Sequence, residues 1–423
     1  MTRGHVRRAV LAAASAALAA GASTLPISAC GDPYAENAQQ VDEGGSDAGI
    51  DSDAATPRAP DPCAHAFPAA PPDKDDAPGE ELPPFFVAVR SIQMAGENGV
   101  VPGFDLDGVC TCETRPETAY GGGPSCFASE SRCDADGGVD NSVSVLAAQL
   151  SPFFALDDVP RKLISAGRRT LLVQIGKYNG RANDKEIAVG LALSDGIREK
   201  GCASSVEDPT KGIWSPGWCG DDRWSFLPDS VIPSTKQPLI QGVGYVRDGV
   251  LIVQVGGTLL LPFNEVSVLS VGSPVIAGTL VPLREDLQPR DRATPPTEKE
   301  KRLWSIEKAT VAGRVKATEL LGALGTIELP RMGDGGTNYL CQETQFAFAR
   351  DQICGALDMS SSKALDFDPR AQCDSLSTAL TFTAFAALPG EVRATAPNDN
   401  PCVAGANGQP PDGGGKPYSC SQQ

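Results

Sequence analysis

Apolar and polar positions alternate along the middle of this chain in short bursts, most of them ended by Gly, Asn, Asp or Pro. A period of two marks strands with one face in a core. The first burst is Phe85-Phe86-Val87-Ala88-Val89 behind Pro83-Pro84, and its aromatic and β-branched content suits a strand. The same reading predicts strands over residues 170–175, 186–193, 224–227, 239–247, 250–255, 258–263, 266–271 and 275–282. A longer strand is predicted over 376–388, where Thr381 and Thr383 alternate with Leu380, Phe382 and Ala384. Between Tyr245 and Leu251, Asp248-Gly249 supplies the positive φ angles of a two-residue hairpin turn. Asn179-Gly180 and Asp195-Gly196 are read as similar punctuation. Closely spaced strands with short turns pair antiparallel, so the expected fold is mainly β: an antiparallel β-sandwich or barrel-like domain with a few short helices.

Helices are expected over 142–150, 318–324 and 340–357. The first places Val143, Leu146, Ala147 and Leu150 on one stripe, behind the capping residues Asp140-Asn141. The patterned region runs over residues 85–396. Residues 397–423 are rich in Pro, Gly and Asn and read as an irregular tail. Upstream, residues 31–84 hold thirteen acidic side chains against Arg58 and Lys74, with almost no large apolar ones. Such a stretch buries too little surface to offset its ordering entropy, and reads as an acidic tether over residues 30–84.

The first thirty residues carry a different pattern. Arg3, Arg7 and Arg8 precede an Ala/Leu-rich run to Ala22, followed by Leu25-Pro26-Ile27-Ser28-Ala29-Cys30. The apolar run is too short to span a membrane as a helix, and the charged, apolar and small-residue order is that of an export signal. It resembles the signal and cleavage box of bacterial lipoprotein precursors. The resemblance covers the first thirty residues alone and implies removal of residues 1–29 and acylation of Cys30 with diacylglyceryl and palmitate-like chains. Gly31 does not resemble the aspartate that many such families use for inner-membrane retention. The expected address is therefore the outer membrane, facing periplasm or cell surface, with the lipid as membrane contact.

Thirteen cysteines become informative once Cys30 is assigned to lipid, since an even twelve remain: Cys63, Cys110, Cys112, Cys126, Cys133, Cys202, Cys219, Cys341, Cys354, Cys373, Cys402 and Cys420. Export to an oxidising compartment predicts disulfides throughout. Cys202 with Cys219 and Cys402 with Cys420 are the expected local pairs, while Cys110 and Cys112 tie their loop to two other places. Zinc on Cys110, Cys112, Cys126 and Cys133 is disfavoured by the spacing and the lack of a nearby histidine. Losing Arg3, Arg7 and Arg8 takes the formal charge from −17 to −20, which repels nucleic acid.

The two histidines, His5 and His65, fall in the signal and the expected tether. On that reading the domain lacks the usual catalytic base, so an enzyme would have to use carboxylates or a Ser-Lys pair. The strongest chemical signal is two Asp-x-Asp-Gly loops, Asp105-Leu106-Asp107-Gly108 and Asp134-Ala135-Asp136-Gly137, with Asp140 just beyond. Alternating carboxylates on a glycine-turned loop suit calcium, although Val145 stands where an EF-hand needs its bidentate Glu. The competing reading is of solvated turns and a helix cap. Trp214, Trp218 and Trp224 are candidates for stacking a glycan or an envelope protein, against a reading as a small satellite core. The functional expectation is a lipid-anchored, non-enzymatic binding or structural module. The alternative is a carboxylate-dependent hydrolase acting on extracellular polysaccharide.

Overall fold

The structure is a computed structural model, and it describes residues 65–94, 102–111, 125–127, 133–154, 156–283, 303–330, 337–366, 368, 370–393, 402 and 419–420. These residues belong to one compact unit, 58–423. Residues 1–29, Cys30, Cys63 and Cys112 lie outside the described residues.

Eight strands close into an antiparallel barrel: β1 (Phe85–Gln93), β2 (Leu171–Gly176), β3 (Asp184–Ile197), β4 (Ile240–Arg247), β5 (Val250–Val255), β6 (Val268–Pro282), β7 (Trp304–Lys316) and β8 (Ser375–Val392). Each pairs with its neighbours in chain order, and β8 returns to β1 with Phe86 opposite Ala387 and Gln93 opposite Thr381. The mainly β, antiparallel expectation thus resolves to a barrel. Closure pairs each of these eight strands on both sides, which relieves them of the aggregation hazard of a long open edge.

Alternation explains the wall. Val87 and Val89, Val173 and Ile175, Val189 and Leu191, Leu251 and Val253, and Leu376 and Leu380 all enter the bore and share one buried cluster. An eight-stranded barrel is just wide enough to be filled by such side chains. The space left among Val89, Ile92, Ile276, Val311 and Phe382 is about 10 Å³, no more than one water's worth.

Three departures from the sequence reading have local causes. Residues 266–271 and 275–282 are one strand, β6, bent by a bulge between Gly272 and Val275 with Ser273 at φ 48°. Asp195-Gly196 is a bulge inside β3 rather than a turn; Gly196 sits at φ 98° with the carbonyl oxygen of Gly167 2.4 Å from where a Cβ would lie. β7 went unpredicted because Glu307-Lys308 interrupts its alternation, at a second bulge where Lys308 has φ 47°. The Asp248-Gly249 turn forms as expected, with φ of 52° and 81° and Arg247 opposite Val250.

The far ends of β3 and β8 are bridged by a short strand, Arg223–Phe226, antiparallel to the first and parallel to the second. Trp224 and Phe226 bury themselves there against Ala88, Leu172, Ala192 and Ile197, the outward side chains of the wall. This makes a second, smaller core on the outside of the barrel.

Helix α1 (Ser142–Leu150) matches its expected bounds, while α2 (Asp158–Ser165) was not foreseen. Helices α3 (Ala317–Gly325) and α4 (Gln345–Cys354) precede β8. Four disulfides are described: Cys126–Cys373, Cys202–Cys219, Cys341–Cys402 and Cys354–Cys420. Cys402 and Cys420 are therefore not partners of each other. Each fastens the tail to the α4 region, where the Arg350 guanidinium also donates to the Ser419 carbonyl at 3.0 Å.

The expected tether is also shorter than its composition suggested, because from residue 65 the chain lies on the barrel. The Leu82 N–H donates to the Tyr178 carbonyl at 2.7 Å, and the Lys185 and Asn183 N–H groups donate to Asp75 and Asp76 at 2.5 and 2.9 Å. Acidic side chains that looked like solvated filler are accepting backbone donors at the tip of the β2–β3 hairpin.

Candidate functional site

Outside the barrel wall, against the outward faces of β7 and β8, the two Asp-Gly loops meet. Asn141 fixes them there. Its Oδ1 accepts from the Ser144 N–H, capping α1, and from the Ala379 N–H of β8, both at 3.0 Å. Its Nδ2 donates to the Ala379 carbonyl at 3.0 Å and the Pro102 carbonyl at 2.7 Å. Pairing of β8 with β1 has ended by this point, so a single amide side chain stands in for the missing strand. Asn141, not Asp140, is thus the helix cap.

Asp105, Asp107 and Asp140 are all buried, and one ligand oxygen from each lies within 4.8 Å of the others. Each is oriented by a backbone donor: Asp105 Oδ1 by the Gly108 N–H (2.6 Å), Asp107 Oδ1 by the Val109 N–H (2.9 Å) and Asp140 Oδ2 by the Leu106 N–H (2.7 Å). Asp105 Oδ2 also meets His65 Nδ1. Gly138, at φ 69°, lets the second loop close in, since a Cβ there would lie 2.7 Å from Cys110 Sγ and 3.2 Å from Asp105 Oδ2. Asp134 takes the Thr111 N–H at 2.5 Å beside this trio. Asp136 is exposed and stands outside the cluster, contrary to its place in the expected ligand set.

Three of these carboxylates, Asp107, Asp134 and Asp140, have raised pKa values. Burial is the main cause in each case. Asp107 is pushed up to about 6, with Asp105 and Asp366 adding repulsion. Asp134 is pushed up to about 7, with Asp107, Asp358 and Asp105 adding to it. Asp140 is pushed up to about 10, with Asp107 and Asp134 adding to it. The Asp358 carboxyl is shifted upward too, although Ser142 and Ser377 donate to it. One cation stands at the edge: Arg314 of β7, buried, holds Asp366 through two bonds of 2.6 and 2.5 Å and reaches the Leu106 carbonyl at 3.3 Å.

Arg314, Ser125, Asp358, Asp366 and His65 were not foreseen here. No local motif marks the first four. His65 was assigned to a tether, yet it sits in the folded unit, stacked on Phe67 at 5.2 Å between ring centroids. Cys110 is in a disulfide, so its sulfur is not a thiolate ligand for metal beside His65 and Asp105.

The tryptophan candidates separate. Trp224 has no exposed surface, and Trp218 packs on it at 5.9 Å while stacking beneath the Arg90 guanidinium at 5.7 Å. Trp214 is half-buried against the same outer cluster. With Cys202–Cys219 holding the loop, these rings form the satellite core rather than an open stacking platform.

No family model, curated protein or solved structure matches the chain.

Proposed function

We propose that the chain is an exported lipoprotein, anchored to a bacterial envelope membrane through lipid on Cys30, whose barrel is a non-enzymatic binding or structural module. The observation that carries this reading is the signal ending in Ile27-Ser28-Ala29-Cys30. Four disulfides support it, because such bridges persist where the surroundings are oxidising. The filled bore argues for an outward-facing role, since it offers a ligand about 10 Å³. Against the hydrolase reading stands the burial of the clustered acids, since glycosidase carboxylates flank a bond in a cleft that admits substrate, whereas Asp105, Asp107 and Asp140 are buried against one another. The test is expression of the full chain and of Cys30→Ala in a bacterium that processes lipoproteins. The parent should fractionate with membranes and incorporate labelled palmitate, and the variant should do neither. Membrane fractionation of Cys30→Ala, or intact mass showing cleavage elsewhere, would overturn the anchor.

A further inference from the structure

The acidic cluster has the build of a ligand shell. Its three oxygens come from two loops and lie within 4.8 Å of one another, while a calcium ion holding oxygens at 2.3–2.6 Å spans about that distance between opposed ligands. All three side chains are buried, so bulk water does little to damp their mutual repulsion. A second observation points the same way. Ser125 is 3% exposed and its hydroxyl lies near enough to Asp107 to favour the ionised carboxylate, yet that oxygen meets no protein group at hydrogen-bonding geometry. A buried hydroxyl without a partner is costly, and a hard cation or the water it carries would satisfy it. Fastening Ser125's neighbour Cys126 to Cys373 keeps that hydroxyl in place. Oxygen-only donors and concentrated negative charge select calcium over the thiolate- and imidazole-seeking metals.

We propose that Asp105, Asp107 and Asp140 bind one calcium ion, with the Ser125 hydroxyl turned toward it and Asp134 contributing charge from beside the site. Arg314 stays on the outer side, neutralising Asp366 so that this acid does not compete. The alternative occupant is a set of protons shared among the carboxylates, which would fold the same loops without metal.

Titration calorimetry on the purified mature chain, stripped with chelator, tests this directly. One calcium per chain should bind, and millimolar calcium should raise the melting temperature by several degrees over chelator. Asp107→Asn should weaken binding at least tenfold and abolish the shift. Asp136→Asn, exposed and outside the cluster, should leave both unchanged. No heat of binding, together with equal melting points in calcium and chelator for the unaltered chain, would overturn the site whether or not Asp107→Asn folds. Loss of binding in Asp136→Asn equal to that in Asp107→Asn would overturn the assignment of ligands.

Discussion

The bore of the barrel and the acidic nest on its outer wall are both buried, but they are held by opposite economies of interaction. In the bore, Val, Leu, Ile and Phe side chains repeat along most strands, so many contacts resemble one another and the loss of one is shared by its neighbours. In the nest, carboxylates from residues 105, 107, 134, 140, 358 and 366 approach one another, and stability depends on a few specific donors and on Arg314. Apolar burial tolerates approximate chemistry, whereas buried charge requires a named partner for each group.

The largest expected effect follows from removing the cation. Arg314→Met retains much of the stem yet strands Asp366, whose side chain is 4% exposed, and should cost about 3 to 5 kcal/mol in urea unfolding. Pairing it with Asp366→Leu should recover most of that loss, because the stranded charge goes as well. Equal destabilisation of single and double variants would mean that the bonds from Arg314 to the Ser360 and Leu106 carbonyls matter more than charge. A bore truncation is expected to be milder. Leu251→Ala, at a fully buried position of β5, should cost about 3 kcal/mol through lost transfer energy and a residual cavity. A cost under about 1 kcal/mol would indicate that the wall collapses to fill the space and that the bore is less tightly packed than its 10 Å³ of remaining room implies.

This contrast also explains what could be read in the chain before folding. The wall was legible because each strand advertises itself locally: seven of the eight appear as apolar alternation, and Asp248-Gly249 marks its own turn. β7 escaped for a local reason as well, its charged Glu307-Lys308 interrupting the alternation at a bulge. The nest was half legible. Asp105, Asp107, Asp134 and Asp140 share a visible motif with glycines, but Asp358, Asp366 and Arg314 join them only through tertiary contact across more than 200 residues. Asp136 has the right spacing and faces solvent, since alternation in a tight loop does not fix which side chain turns inward. His65 and the acids at 75 and 76 were hidden by composition: a Pro- and Asp-rich stretch reads as solvated until its carboxylates are seen to accept backbone donors.

The pH dependence of stability separates the two regions most cleanly, because the aliphatic side chains of the bore carry no titrating group. In chelator, the folded-state pKa values of Asp107 and Asp134, about 6 and about 7, lie above the ordinary 3.8. Between those limits the folded chain holds protons that the unfolded chain has released. Stability contributed by these groups should therefore rise as pH falls from about 7 toward 4, by up to about 1.4 kcal/mol per pH unit for each group then titrating. That is the reverse of the usual behaviour of salt-bridged carboxylates, which lose their contribution on acidification. The comparison to make is the difference in unfolding free energy between the parent and the Asp107→Asn/Asp134→Asn pair at pH 5, 6 and 7.5. The parent's disadvantage should be greatest at pH 7.5 and shrink at pH 5. Under saturating calcium the cation competes with the protons, so the gain from metal should be greatest at pH 7.5 and fade at pH 5. A parent that becomes relatively more stable as pH rises in chelator would mean that the carboxylates are already neutralised by donors within the chain, and that the nest, like the bore, is complete without a guest.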